Sequence, residues 1–203
     1  MSKAVEILVA GIDEAGRGPL AGPVYAAAVI LAQNCPIESL TDSKKLSAKK
    51  REKLADEIKN EAIAWSIASA SVEEIDRINI LQATFLAMRR AFLGLQPTAD
   101  RVIIDGRMVP KGLGVPAKAV VKADNQYAQV AAASILAKTA RDEFCLQLEE
   151  SYPGYGFAQH KGYGTAMHLK QLKELGPCPE HRQSFAPVKK LLHNATPGSS
   201  DHN

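Results

Sequence analysis

The spacing of apolar residues predicts a run of strands in the first third of the chain. Residues 5–13 are rich in Val, Ile and Leu and alternate weakly with other residues, which is typical of a strand. Val24–Leu31 follows closely enough to pair with it in antiparallel fashion, and Ala62–Ala70 indicates a third strand. Three strands in this order predict an antiparallel meander.

Helices are predicted on either side of the third strand. Ser47 is placed to cap a helix that extends to about Asn60. Ser71 and Glu74 have the spacing of a capping box, after which apolar residues recur at intervals of three and four. This amphipathic stripe consists of Leu81, Phe85, Met88, Phe92 and Leu95.

The second half of the chain predicts two buried strands and two more helices. Arg101–Asp105 and Ala117–Val121 are short, continuous apolar runs that suit buried, parallel strands. A long helix is expected to begin at Asp124, and its small apolar residues would let it lie close to the sheet. A further helix is expected at about Ala166–Leu175.

These elements predict one α/β domain over residues 1–193, with a mixed sheet, flanking helices and a helical C-terminal part. Sheets of this kind place ligand sites at the ends of strands. The segment 194–203 lacks apolar residues and is expected to be a disordered tail.

Composition narrows the class of protein. The chain has 203 residues, and 46% of them are hydrophobic, which suits a single soluble domain. The 25 Lys and Arg residues against 22 Asp and Glu residues permit a polyanionic partner without indicating one. No run approaches the ~20 apolar residues of a membrane span. Three cysteines without close spacing favour a reducing compartment, and we expect a cytoplasmic protein.

Acidic residues end three separate apolar segments. They are Asp13 and Glu14 in the first strand, Asp105 in the fourth, and Asp124 after the fifth. If these ends coincide, the repulsion among four carboxylates is tolerable chiefly when divalent cations neutralise it. Oxygen ligands without His or Cys favour magnesium or manganese over zinc. Since neighbouring strand residues face opposite sides, Asp13 and Glu14 can share a site only if the strand bends, as Gly16 permits.

Each acid taken alone also fits a structural role. Asp124 has the position of a helix N-cap, which is worth about 1 kcal/mol. Asp105-Gly106 is a common turn pair, and Asp13-Glu14 is compatible with a solvated strand end. It is the coincidence of the three segments that supports a metal site. Two ions ~3.5–4 Å apart would serve an in-line displacement at phosphorus.

The segment Asp13–Val24, Asp-Glu-Ala-Gly-Arg-Gly-Pro-Leu-Ala-Gly-Pro-Val, resembles the opening signature of prokaryotic ribonuclease HII. Further blocks similar to that family follow in order across nearly the whole chain: Asp42–Leu46, Asn79–Thr84, Ile104–Gly106, Ala132–Lys138 and Tyr155–Tyr163. The single-domain length is more similar to ribonuclease HII than to ribonuclease HIII, which carries an extra N-terminal domain.

The resemblance implies an RNase H-like fold and an endonuclease that hydrolyses the RNA strand of RNA–DNA hybrids. It also implies incision on the 5′ side of a single ribonucleotide embedded in duplex DNA, which opens ribonucleotide excision repair. The ends left would be a 3′-hydroxyl and a 5′-phosphate. We expect a monomer that uses Mg2+ or Mn2+, with two ions during catalysis. A sliding clamp is a further possible partner, which the sequence neither indicates nor excludes.

The resemblance also assigns roles to residues. The catalytic, metal-binding acids of the family fall on Asp13, Glu14, Asp105 and Asp124. The substrate-binding positions are the junction-sensing Gly16, Arg17 and Gly18, the sugar-stacking Tyr163, and Ser43 and Lys44 as phosphate contacts. The 2′-hydroxyl distinguishes RNA from DNA, and glycine backbone can approach it closely.

Two positions depart from the family pattern. Arg107 follows Asp105-Gly106 where the family often has Asn, and Ala123 precedes Asp124 where it often has Gly. Neither change removes an acid, although Arg107 alters the surface beside them.

Other interpretations of single residues and of the whole chain stay open at this stage. His160 could shuttle protons, although a loop histidine usually has no such role, and its spacing from Cys178 and His181 is poor for zinc. A hybrid-binding module without catalysis and a nucleotide phosphohydrolase are the alternative functions. The chain lacks the Gly-Lys-Ser/Thr motif that would support the phosphohydrolase.

Overall fold

The computed structural model describes residues 7–35, 40 and 47–195. Within this part, five strands form one mixed sheet in the order β3-β2-β1-β4-β5. The strands are β1 (Val9–Ala15), β2 (Val24–Ile30), β3 (Ala64–Ala70), β4 (Arg101–Asp105) and β5 (Ala117–Val120). The helices are α1 (Ala48–Glu61), α2 (Val72–Ile78), α3 (Ile80–Leu93), α4 (Ala128–Ser151), α5 (Phe157–His160), α6 (Ala166–Leu175) and α7 (Ala186–Ala195).

The strand directions decide which residues meet at the edge of the sheet. β1, β2 and β3 form the predicted antiparallel meander, whereas β4 runs parallel to β1 and β5 runs parallel to β4. In the β1–β4 pair, Ile12 lies opposite Ile104. The acids that follow these two residues, Asp13 and Asp105, therefore leave the sheet side by side.

Helices cover both faces of the sheet. Ile12 and the alternate residues of β1 and β2 pack with α3 around Met88 and Phe92. Ala27 and Val29 pack with the small residues of α4 on the opposite face. Gly11 is needed for this second contact, because a Cβ at that position would lie 2.3 Å from the backbone nitrogen of Val130 in α4.

The C-terminal part packs against the loop between β1 and β2. Ala21 forms an isolated bridge with His181, the Gly22 amide donates to the Glu180 carbonyl, and the Arg182 amide donates to the Leu20 carbonyl. Val188 of α7 is fully buried in a cluster with Leu20 and Leu172. The loop after β1 thus lies between the sheet and the end of the chain.

Most predicted elements are confirmed, and α4 is the main exception. It begins at Ala128 and not at Asp124, which lies in a 3-10 turn, Ala123–Asn125. Tyr127 occupies the N-cap position without a side-chain hydrogen bond, so the N-cap role considered for Asp124 was wrong. The turn is separate from α4 because Tyr127, which lies between them, is extended at φ −128° and ψ 114°.

Two further differences concern helix ends. The predicted capping box at Ser71 opens a short separate helix, α2, and Asn79 at φ 69° caps α3 by accepting from the Leu81 and Gln82 amides. The helix α7 extends to Ala195, two residues into the predicted tail, while residues 196–203 lie outside the described part. In the described part, no helix combines the length and apolar character needed to span a membrane.

Candidate active site

The first pair of acids meets within β1 itself. The strand stays paired with β2 through Asp13 and Glu14 to Ala15, so the expected bend does not interrupt the pairing. The Asp13 side chain instead turns along the strand, and its Oδ1 accepts the Glu14 amide at 2.8 Å. The two carboxyl groups also interact electrostatically, since the charge of Glu14 helps to raise the pKa of Asp13. Asp13 and Glu14 therefore interact with each other without a register change.

Asp105 and Asp124 are brought to the same edge by β4 and the 3-10 turn. Oδ1 of Asp105 accepts the Ala123 amide at 2.7 Å, which ties the end of β4 to the turn that carries Asp124. Asp124 is buried, with 4% of its surface exposed. Asp124 directly follows Ala123, so this hydrogen bond also ties the backbone at Asp124 to the end of β4.

Burial makes this group of acids costly to ionise. Burial, followed by the charge of Glu14, raises the pKa of Asp13 to about 8, and Asp105 contributes in the same direction. Burial also raises the pKa of Glu14, although Arg17, whose Nη1 lies 3.3 Å from Glu14 Oε1, opposes the rise. Three acids from two strands thus act on one another electrostatically.

The carboxylate oxygens of these acids suit a hard divalent cation, but they do not form a complete coordination site. Among the described residues, no three His, Cys, Asp or Glu side chains stand together as a group that could hold a metal ion. Glu14 Oε2 is buried and has no hydrogen-bond partner in the described part of the chain. A cation would satisfy this oxygen and offset the cost of ionising Asp13.

A cleft of about 280 Å3 adjoins the acids on the side of the loop after β1. Its lining brings together residues from β1, the loop, α4 and the segment after α5: Glu14, Ala15, Gly16, Arg17, Gly18, Lys138, Arg141, Asp142, Lys161 and Tyr163. The Tyr163 side chain is half exposed, and a Cβ on Gly18 would lie 3.4 Å from its ring. The predicted recognition residues Gly18 and Tyr163 therefore face each other.

Gly16 has a structural reason to be glycine. Its φ of +95° is unfavourable for other residues, and a Cβ would lie 2.3 Å from Arg141 Nε and 3.2 Å from the Pro23 carbonyl oxygen. The Arg141 side chain passes beneath the loop, where it donates to the Lys161 carbonyl at 2.7 Å. Its Cζ lies 5.8 Å from the centre of the Tyr163 ring.

Comparison with known proteins assigns this arrangement to a family. The profile of the family described as Ribonuclease HII matches residues 10–188, nearly all of the described chain. The chain belongs to the ribonuclease HII family. A ribonuclease HII from Acidovorax sp. (strain JS42) is 63% identical over 185 residues, covering 91% of this chain and 88% of the relative.

Solved structures show the same fold. Ribonuclease H2 from Pyrococcus horikoshii OT3 superposes with a TM-score of 0.77 at 27% identity, covering 93% of this chain and 98% of that one. Ribonuclease HII from Archaeoglobus fulgidus, solved in a complex with PCNA, gives a TM-score of 0.75 at 29% identity, covering 89% and 96%. The predicted mixed sheet with flanking helices and the ribonuclease HII resemblance are confirmed.

Family membership decides between the functions considered from the sequence. The chain is a ribonuclease H, a hydrolase that acts on the RNA strand of RNA–DNA hybrids. The non-catalytic binding module and the nucleotide phosphohydrolase are therefore set aside.

Several residues of this ribonuclease HII cleft were missed from the sequence. Lys138, Arg141 and Lys161 line it beside Arg17, and Lys138 donates to Ser134 at 2.7 Å, one turn earlier on α4. The sequence shows only that Arg141 interrupts the small apolar residues of α4, and the structure adds that it is 4% exposed. A buried arginine in such a helix points to an acceptor nearby.

His160 is buried rather than exposed, and both of its ring nitrogens are occupied. Nε2 contacts the Tyr155 carbonyl at 2.8 Å, and Nδ1 accepts the Gly162 amide at 3.1 Å. A proton shuttle needs a nitrogen that reaches solvent or substrate, so the shuttle role is not supported. The His160 ring stacks on His168 at 4.2 Å, in a cluster that also contains His181.

The remaining predicted positions are distributed as follows. Ser43 and Lys44 lie outside the described residues. Arg107 lines a second cleft, on the α3 side of the acids, together with Glu14, Asp105 and Lys122. The departure from the family pattern at Arg107 thus places a cation, where Asn is common, beside the acids.

Proposed function

We propose that this protein is a metal-dependent endonuclease that nicks duplex DNA on the 5′ side of a single embedded ribonucleotide and also cleaves longer hybrids. The observation that carries the proposal is the position of Glu14. It interacts with Asp13 and Asp105 and also lines the cleft that contains Gly18 and Tyr163. The reacting phosphate would then lie next to the sugar that is read. Such incision is the first step of ribonucleotide excision repair.

Asp13, Glu14, Asp105 and Asp124 are the residues we propose as metal ligands, with Mg2+ or Mn2+ as the ions. Two bound ions would activate a water and stabilise the leaving oxygen, which leaves a 3′-hydroxyl and a 5′-phosphate. The acids would draw together on binding, since no three of them form a ligand group as they stand. The unpartnered Glu14 Oε2 supports this donor set.

The loop after β1 and Tyr163 are the proposed readers of the sugar. Backbone at Gly16–Gly18 can approach a 2′-hydroxyl without side-chain obstruction. The Tyr163 ring, which faces Gly18, would lie against the following sugar and favour deoxyribose. Lys138 and Lys161 in the cleft, with Ser43 and Lys44, would contact backbone phosphates.

The complex of the Archaeoglobus fulgidus relative with PCNA supports a sliding clamp as a further proposed partner. A clamp would hold the enzyme on DNA without altering the cleft.

The experiment is cleavage of an end-labelled duplex that contains one ribonucleotide, with the nick mapped and its ends identified. We expect a single nick directly 5′ of the ribonucleotide, dependent on Mg2+ or Mn2+, and none in the all-DNA duplex. Cleavage of long hybrids together with an intact single-ribonucleotide duplex would reject the junction specificity. Full activity in the presence of a chelator would reject the metal.

A further inference from the structure

Arg182 is an unusual residue in this fold. It is a fully buried arginine, and in the described part of the chain no carboxylate forms an ion pair with it. A buried guanidinium is costly unless its donors are satisfied. Burial, followed by the charge of Arg141, lowers the pKa of Arg182 to about 9, so it still carries its charge at neutral pH.

The partners of Arg182 are three carbonyl groups of the loop after β1. Nη2 donates to the Gly16 carbonyl at 2.6 Å, Nη1 to the Arg17 carbonyl at 3.1 Å, and Nε to the Gly22 carbonyl at 2.9 Å. The Phe185 ring covers the guanidinium at 5.0 Å. All three nitrogens of the Arg182 guanidinium therefore donate to the loop after β1.

The backbone around Arg182 is attached to the same loop. Its amide donates to the Leu20 carbonyl at 2.8 Å, and the Glu180 carbonyl accepts the Gly22 amide at 2.8 Å. The backbone of this C-terminal segment thus holds the second half of the loop, at Leu20 and Gly22. The Arg182 side chain holds its start, at Gly16 and Arg17, and also contacts Gly22.

Holding the carbonyls also sets the direction of the amides. In a trans peptide the carbonyl and the next amide point in opposite directions, and the peptide bonds after Gly16 and Arg17 are trans. The amides of Arg17 and Gly18 therefore point away from Arg182, out of the buried side of the loop. Neither amide donates a hydrogen bond within the described part of the chain, and both residues line the cleft.

We propose that Arg182 is the positioning residue of sugar recognition: it holds the Gly16 and Arg17 carbonyls inward so that the Arg17 and Gly18 amides are presented to the 2′-hydroxyl. This inference rests on the proposed function, since it assumes that the loop reads the sugar. Arg182 itself does not line the cleft. Arg182 would therefore act on the substrate only by orienting the backbone of the loop after β1.

The test compares binding to two duplexes, one with a single ribonucleotide and one entirely of DNA. The measurements use Asp13→Asn protein, in which cleavage is expected to be absent, and fluorescence anisotropy in Mg2+. Adding Arg182→Lys keeps the charge but loses the fork that spans three carbonyls. We expect the ratio of the two Kd values to fall roughly fivefold or more, while the Kd for all-DNA duplex stays within about twofold.

Arg90→Lys is the matched control. Arg90 donates to the Ser69 carbonyl and to both oxygens of Glu74 without contacting the loop after β1. The same chemical change there is expected to lower stability and leave the Kd ratio unchanged.

Three outcomes would overturn the inference. One is a folded Arg182→Lys protein that keeps the full Kd ratio, and another is an equal loss of affinity for both duplexes. If Arg182→Lys does not fold, Phe185→Leu removes the ring over the guanidinium, and an unchanged ratio there overturns the inference in the same way. A Kd ratio of one in Asp13→Asn alone would instead reject sugar reading itself, and the proposed function with it.

Discussion

Asp13 is the residue at which stability and function conflict most clearly. Its side chain is buried, with 6% of the residue exposed, and it accepts the Glu14 amide. Burial raises its pKa to about 8, far above the ordinary value of 3.8. Between these values the unfolded chain carries the charge while the folded protein holds a proton, so Asp13 destabilises the fold as pH rises through this range.

Asp13→Asn is expected to separate the two effects. Asparagine resembles the protonated acid and carries no charge, so we predict a gain of roughly 1–3 kcal/mol in the free energy of unfolding at pH 7 without metal. The same change is expected to abolish cleavage while leaving hybrid binding intact. Urea unfolding and a cleavage assay provide the two measurements.

Asp76→Asn is a suitable control for Asp13→Asn. Asp76 accepts the Gln183 and Ser184 amides and lines neither of the two clefts beside the acids. Its substitution is expected to lower stability and leave cleavage in place. If Asp13→Asn kept full magnesium-dependent cleavage, the assignment of the catalytic acids would be wrong.

At the scale of elements, the sequence predicts those helices and strands whose position depends on the local pattern of residues. Apolar spacing gave the meander and α6, whose bounds Ala166–Leu175 agree with the prediction. The sequence predicts a start of α4 at Asp124, because an acid before an apolar stripe has the pattern of an N-cap. The helix starts later because Tyr127 is extended. The turn before it is held by a tertiary contact, the hydrogen bond from the Ala123 amide to Asp105, which neighbouring residues do not reveal.

The residues of the candidate site also fall into those that the sequence predicts and those that it does not. The acids were found because each ends an apolar run, and Gly16–Gly18 and Tyr163 came from the family resemblance. Arg141 and Arg182 were missed because arginine is normally exposed, and their acceptors are carbonyls of segments distant in sequence. Backbone acceptors leave no trace in the sequence.

The contact of α6 with the C-terminal segment depends on neutral histidines. The Cys178 amide donates to His181 Nδ1 at 3.0 Å, so the His181 proton is on Nε2, which contacts His168 Nε2 at 3.0 Å. His168 therefore carries its proton on Nδ1 and donates to the Tyr163 carbonyl at 2.9 Å. A second proton on His181 or His168 would place two donors face to face.

Acid is therefore expected to weaken this contact. Burial, followed by His168, lowers the pKa of His181 from 6.5 to about 4, and burial lowers that of His168. The unfolded chain binds these protons first, so the stability that His181 contributes is complete above pH 6.5 and is lost as pH falls toward 4. We predict that the stability difference between wild type and His181→Gln shrinks by about 1–2 kcal/mol from pH 7 to pH 5.

Denaturant unfolding at several pH values measures this difference directly. Comparison with His181→Gln is necessary because Asp13 changes stability in the opposite direction over the same range. His193→Gln, an exposed position on α7, serves as the control and is expected to follow the wild-type profile. Parallel profiles for wild type and His181→Gln would show that the cluster does not titrate as described.

At the scale of the whole molecule, the site is assembled from three distant parts of the chain. The parallel pairing of β1 with β4 brings Asp13 beside Asp105, and the C-terminal part holds the loop after β1 from behind. The acids therefore come together only when β1 and β4 are paired in the folded sheet. A ligand that binds this assembled edge will stabilise the complete fold, because the unfolded chain does not contain the site.

Divalent ions should therefore raise the melting temperature, and they should do so through the acids. At a hundred times its Kd, a bound ion adds about 2.7 kcal/mol, which corresponds to a shift of ~5–11 °C for a domain of this size. We expect Mn2+ or Mg2+ to produce this shift in wild type and chelation to reverse it. Asp13→Asn should begin from a higher melting temperature and respond less, since the charge that the ion offsets is already absent. Equal shifts in both proteins would place the stabilising ion elsewhere on the surface, and the four acids would then lose their support as metal ligands.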